Sequence, residues 1–335
     1  MGKTAFVTGG TGFIGSHLVE ALLARGYGEV RCLIRTSPKW LKGLGVVPVP
    51  GSLENRKVLE AALRDVDHVY HVGGVTRAVT WKDMRQGNVG ATLALMRAIR
   101  YAGCSVQKVV VTSSLAAVGT ASTSVVDEST PLNPITLYGR SKAQMEVMLA
   151  RNDHAGFAFL SDLPVVIVRP PVVYGPREVD IFTFFRTVRA GFCPVIGKGR
   201  AKSMSLVHVE DLVRGMILAA ESDITAGQTY FVGSDEPISW NDLKHATMTA
   251  LGRRALTIRV PRFLVGPVAS VVEGVSKPFG HYPALNREKA REIVHAAKVC
   301  DSAKAQQDFG YQQQVPLDRG IGETIAWYRE QGWLR

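Results

Sequence analysis

Through its first half the chain alternates short apolar runs with segments of helical apolar spacing. Thr4–Thr8 is an apolar run of strand length ended by glycines, and Val30–Ile34, Val46–Val49, His68–Val72, Lys108–Thr112 and Val165–Val168 repeat the type. Between them, Ser16–Arg25 spaces Leu18, Ala21, Leu22 and Leu23 as a helix does. Asp83–Tyr101 does the same with Leu93, Leu95, Met96 and Ile99. Arg56–Arg64 and Tyr138–Arg151 complete the expected helices. Strands this apolar are covered on both faces, so the pattern predicts an α/β fold built on a doubly wound parallel sheet.

Past Pro170 glycine and proline punctuate shorter elements, and the regular alternation stops. The expected division is one unit over residues 1–170 and a smaller, tightly packed lobe over 171–335. Leu206–Val209 and Thr229–Val232 are expected strands, some of this region returning to the sheet. One later segment stands out. Phe263, Leu264, Val265, Val268, Ala269, Val271, Val272 and Val275 crowd into Arg262–Ser276, interrupted by Gly266-Pro267. The first expectation is a core helix of the lobe, and the second is an amphipathic segment resting on an anionic membrane surface. The run is too short and broken to span a bilayer.

Composition narrows the classes. With 335 residues, 46% hydrophobic and 21% charged, the chain can bury a sizeable core. Its net charge of +11 favours anionic partners such as phosphorylated cofactors. The basic residues are spread out, densest at Lys198, Arg200 and Lys202 and again at Arg253-Arg254, without an aromatic-interleaved stripe, so nucleic acid is not an expected partner. Cys32, Cys104, Cys193 and Cys300 form no CxxC pair and have no metal-ligand spacing; no metal site is expected, and reduced thiols point to the cytosol. The N-terminus has no signal-peptide pattern, so a cytoplasmic protein is expected, with membrane contact at most peripheral.

The first strand runs into Gly9-Gly10-Thr11-Gly12-Phe13-Ile14-Gly15 and then a helix. Gly9 suits a tight turn, Gly12 lets backbone approach a pyrophosphate, and Gly15 lets the helix pack against the strand. The helix N-terminus presents free N–H groups and the positive end of its dipole. A glycine pattern alone is an ordinary turn; set between strand and helix, it marks a dinucleotide site and makes the sheet a Rossmann sheet.

The spacing Thr8-Gly9-x-x-Gly12-Phe13-x-Gly15 resembles the extended branch of the short-chain dehydrogenase/reductase superfamily. His71, Asn88-Val89, Thr112-Ser113-Ser114, Tyr138-Gly-Arg-Ser-Lys142, Arg169-Pro170, Tyr174-Gly175-Pro176 and His208-Val209-Glu210-Asp211 follow in that family's order and span most of the chain. The resemblance implies a Rossmann sheet with a smaller C-terminal substrate lobe, a homodimer, and a catalytic Ser114, Tyr138 and Lys142. It also implies that Ser52, Leu53, Val72, Gly73, Gly74, Asn88 and Pro171 lie along the cofactor. Two positions depart from the family. Ser52 stands where an adenine-binding Asp is frequent, and Gly73-Gly74 replaces Ala-Ala.

These residue types suit the chemistry. A tyrosine hydroxyl titrates near 10, so as a base at neutral pH it needs positive charge beside it, and a lysine one helical turn on, together with the positive nicotinamide, is expected to supply it. Ser114 can steady a substrate oxygen while Tyr138 moves the proton. Lys142 is expected on the nicotinamide ribose. His71 and Asn88 read as structural, and His208–Asp211 as a brace between lobe and sheet. NAD enzymes usually end the second strand with an acid that holds the ribose 2′-hydroxyl. Leu33-Ile34-Arg35 has none, and Arg35, with Lys39 nearby, can pair a 2′-phosphate, so NADP(H) is favoured with NAD(H) the alternative.

For the substrate, Val172 and Met204 stand where sugar-nucleotide members of the family carry Asn and Arg against the diphosphate, although Arg177, Arg200 or Lys202 could substitute. The motifs are most similar to the 3β-hydroxysteroid dehydrogenase and dihydroflavonol reductase type. The leading expectation is an NAD(P)(H)-dependent oxidoreductase acting on a hydroxyl or ketone of a fairly apolar small molecule. A nucleotide-sugar epimerase or dehydratase with tightly held NAD is the alternative, and a non-catalytic dinucleotide-binding module the third.

Overall fold

A computed structural model describes residues 2–103, 106–150, 157–201, 204–276, 286–297 and 299–334; Cys104, Arg151 and Lys202 lie outside these. Seven parallel strands form the central sheet, in the spatial order Thr229–Phe231, Val165–Arg169, Lys108–Thr112, His68–His71, Thr4–Thr8, Glu29–Ile34 and Val47–Pro50. The order reverses at Thr4–Thr8, which lies between the second and fourth strands. In such sheets ligands bind beyond the carboxyl ends of the strands at that point. Val109, Val110, Val111, Val166 and Val168 are wholly buried or nearly so, which is why their strands read as unbroken apolar runs. On one face, Leu18, Val19 and Leu22 of helix Phe13–Ala24 meet Leu212 and Met216 of helix Val209–Glu221. On the other, helices Arg56–Ala62, Ala91–Ala102 and Leu137–Ala150 bring in Leu59, Leu95, Met96, Ile99 and Met145.

The second core gathers Phe185, Val188, Val195, Leu206, Leu243, Ile321, Ile325 and Tyr328 from helices Asp180–Arg189, Trp240–Leu251 and Leu317–Glu330 and their neighbouring strands. Strands Phe192–Ile196 and Leu256–Val260 pair in parallel beside it.

Three expectations change. Leu206–His208 does not return to the sheet; it pairs with Val172–Tyr174, and Val209 already starts the next helix. Alternation explains this, because Leu206 points into the second core and Val207 into the sheet core. Thr229–Phe231 does return, at the sheet edge. The long helix over Asp83–Tyr101 is interrupted by a π-turn at Gln86–Gly90. Finally, Arg262–Ser276 is a continuous helix through Pro267, but it is not a core helix. Val265 and Ala269 are buried against Ala290 of helix Arg287–His295, while Phe263, Leu264, Val268, Val271 and Val275 face outward. No described helix is long and apolar enough to cross a membrane.

Three buried imidazoles set an acid limit on this fold. Burial pushes His71 down to about 3, with Lys142 adding to the effect, and pushes His68 and His208 down to about 4. The unfolded chain takes up these protons near pH 6.5 and the folded chain does not, so stability is full above 6.5 and falls as pH drops below it. Glu178, raised to about 7 by burial, works in the opposite sense but offsets one proton of three. The melting temperature should therefore fall between pH 6.5 and 5, and less steeply in His71→Gln. A flat profile in the wild type would contradict the assignment.

Candidate active site

The first strand ends at Gly9, whose φ of +75° turns the chain and whose carbonyl accepts from the Gly12 amide at 2.9 Å. A Cβ on Gly15 would stand 2.1 Å from the Gly9 carbonyl oxygen, and one on Gly9 would stand 2.5 Å from the Gly73 amide nitrogen. Backbone meets backbone here, so side chains are excluded. Val72 donates its amide to the Thr8 carbonyl beside this contact. Helix Phe13–Ala24 begins without a side-chain cap or an acidic residue in its first turn. Its first amides and dipole end stay available to a phosphate, while Phe13 and Ile14 lean on the core.

The next strand ends close around this loop. His71 Nδ1 bonds Thr8 Oγ1 at 2.7 Å, and its Nε2 bonds Thr92 Oγ1 at 2.9 Å, so the ring is a neutral strut. Asn88 sits in the π-turn, donates to the Val75 carbonyl and to Ser141 Oγ, and accepts from the Val75 amide. Gly74 lies against Asn88 and Lys142; a Cβ there would stand 3.4 Å from Lys142 Nζ.

Helix Leu137–Ala150 brings Tyr138 and Lys142 to the same edge. Ser114 lies near enough to Tyr138 to act on its phenol, and Lys142 Nζ lies 5.9 Å from the tyrosine ring centre, donating to the Thr112 carbonyl at 2.7 Å. Gly139 permits this approach, since a Cβ there would stand 2.2 Å from the Ala116 carbonyl oxygen. Lys142 alone does not lower the tyrosine. Burial pushes Tyr138 up to about 12, opposed by the Ser114 hydroxyl, and pushes Lys142 down to about 8. The ammonium is spent on a carbonyl rather than aimed at the phenol, and desolvation wins.

Behind these groups lies a buried ion pair absent from the sequence reading. Arg169 donates through Nε and Nη2 to Glu146 at 3.1 and 2.6 Å, and Ser113 Oγ also bonds Glu146. Glu146 follows Lys142 by four residues, so Tyr138, Lys142 and Glu146 share a helix face, a spacing visible in the sequence. From the lobe, Glu288 accepts the Leu137 amide at 2.8 Å and Glu292 acts electrostatically on Tyr138. No local pattern marks these two.

A model of the NAD dependent epimerase/dehydratase family matches residues 5–233. The chain belongs to that family. It is an NAD(P)-dependent enzyme of the extended short-chain type. It is 28% identical to a 4-hydroxy-2-methyl-3-oxo-4-farnesyl-3,4-dihydroquinoline-1-oxide ketoreductase of Stigmatella aurantiaca, over 94% of both chains. It is likewise 28% identical to a 3-beta-hydroxysteroid dehydrogenase of Mycolicibacterium neoaurum, over 97% of this chain and 91% of that one. The crystal structure of a dTDP-glucose 4,6-dehydratase from Streptomyces venezuelae with NAD and TYD bound superposes with a TM-score of 0.76 at 26% identity, covering 98% of each chain.

Among the remaining positions of this epimerase/dehydratase-family chain, Arg35 is exposed at the end of the second strand, with no ion pair among the described residues. The Ser52 hydroxyl accepts the Glu54 amide, Leu53 leans on the core, and Pro171 is buried against Gly233. Val172 is exposed, and Met204 bridges to Ile238. Arg177 is committed elsewhere, donating to Ser16 Oγ at 2.9 Å and to Glu20 at 2.6 Å, so it is not a free diphosphate clamp. His208 stacks edge-on with Tyr174, while Asp211 accepts the Gln314 and Val315 amides and braces the C-terminal segment as expected.

The ion pair yields a test. Arg169→Met should destabilise the protein by about 3–5 kcal/mol in denaturant melts, because Glu146 is left buried and uncompensated. The double variant Arg169→Met/Glu146→Leu should recover most of that loss. Additive losses would show that the two charges are not coupled.

Proposed function

We propose that this protein is an NADP(H)-dependent oxidoreductase that exchanges hydride with a hydroxyl or ketone of a fairly apolar small molecule, of steroid, flavonoid or β-keto type. The observation that carries this is the convergence of Ser114, Tyr138 and Lys142 at the carboxyl edge of the sheet, beside the uncapped glycine-loop helix. The bare helix end and the glycine contacts fit a dinucleotide pyrophosphate. When bound there, the dinucleotide supplies hydride exchange at its nicotinamide. Lys142 holds the nicotinamide ribose, Ser114 donates to the substrate oxygen, and Tyr138 transfers the proton to or from it. A phenol held up to about 12 is ready to give its proton to a ketone oxygen; the reverse reaction must first remove it.

Two relatives named for a prenylated ketone and a steroid support the apolar substrate. So do exposed Val172 and the bridging Met204, which leave a diphosphate without those partners. The likeness to a sugar-nucleotide dehydratase supports the competing reading, an epimerase or dehydratase that keeps its NAD.

Purified protein with NADPH should consume it in the presence of at least one ketone from a panel of steroids, β-keto esters and prenylated ketones. Tyr138→Phe should lower turnover about 10²–10⁴-fold while leaving the cofactor-induced rise in melting temperature. Copurified NAD, a melting shift with UDP-sugars and no net turnover of added cofactor would instead select the epimerase or dehydratase. Arg35 carries the NADP(H) preference. Arg35→Ala should raise KM for NADPH about tenfold or more and leave NADH unchanged; an equal effect on both would refute the assignment.

A further inference from the structure

Helix Arg262–Ser276 turns an apolar side outward. Phe263, Leu264, Pro267, Val268, Val271 and Val275 fall within an arc of about 140° around the helix at 3.6 residues per turn. Phe263 is 77% exposed, Val271 65% and Val275 64%. The strand leading into the helix continues the patch. Leu256 and Ile258 lie on one face of it, and Leu256 is in register with exposed Phe192. A soluble surface scatters large apolar side chains singly, and a contiguous row marks a contact.

The charges around the row identify the contact. Between Gly252 and Ser276 the chain carries Arg253, Arg254, Arg259 and Arg262 against Glu273 alone. All four arginines are exposed, and no carboxylate among the described residues pairs with them. Glu273 lies away from the apolar arc, where it accepts the Arg287 amide at 2.9 Å. We infer that this face seats the protein on an anionic lipid surface, with the apolar arc in the headgroup boundary and the arginines on lipid phosphates. The net charge of +11 acts in the same direction, whereas a second copy of the chain would set arginines against arginines. This inference stands apart from the hydride-transfer reading and would survive its failure.

The test is co-sedimentation of the full-length protein with vesicles of phosphatidylcholine alone or mixed with phosphatidylglycerol. Binding should appear on the mixed vesicles, be weaker on phosphatidylcholine, and decline with added salt. Phe263→Glu/Val271→Glu should cut binding about tenfold or more while the dinucleotide-induced melting shift persists. Arg253→Ala/Arg254→Ala/Arg259→Ala should remove most of the salt dependence. Wild-type protein that ignores both vesicle types, or a double glutamate variant that binds as well as wild type, would overturn the inference. A solution dimer dissociated by the same double variant would assign the face to a second copy instead.

Discussion

The geometry of the candidate site is tied to the buried pair of Glu146 and Arg169. Taking two charges out of water costs several kcal/mol each, and the cost is met through short charge-assisted bonds and the hydroxyl of Ser113. In exchange the pair ties together three elements that carry the site. Glu146 lies on the helix of Tyr138 and Lys142, Arg169 ends the strand Val165–Arg169, and Ser113 precedes Ser114. Tyr138, Lys142 and Glu146 repeat at helical spacing, so the ion pair holds the same helix face that carries the tyrosine and the lysine. The contact at Gly139 adds a steric stop at the other end of that face.

With position fixed this way, protonation follows from burial. Tyr138 is held as a phenol, and Lys142 is drawn toward neutrality while its proton faces the Thr112 carbonyl. Tyr138 alone is not poised as a base.

What the sequence made legible was what depends on near neighbours. The buried strands show as unbroken apolar runs because both faces are covered, and the glycine loop shows because its contacts fall within seven residues. Gly9, by contrast, is held to glycine partly by the Gly73 backbone, a partner far along the chain, since a Cβ on Gly9 would stand 2.5 Å from the Gly73 amide nitrogen. Glu146 and Arg169 are 23 residues apart, and nothing local announces that they meet. Leu206–His208 has a strand's composition, but which strand it pairs with is decided by two cores competing for alternate side chains. The helix at Arg262–Ser276 misleads for a related reason. Apolar spacing reports a face that wants covering, and cannot distinguish cover by protein from cover by something outside the chain.

That helix is also linked by packing to the candidate site. It packs on Arg287–His295, and this second helix reaches the site twice, through Glu288 on the Leu137 amide and Glu292 acting on Tyr138. The Glu288 carboxylate meets an otherwise orphaned donor at the positive end of the catalytic helix, a favourable pairing that fixes where the helix pair lies. The outer helix is thus linked, through Glu288 and Glu292 of the helix it packs on, to the first turn of helix Leu137–Ala150, next to Tyr138.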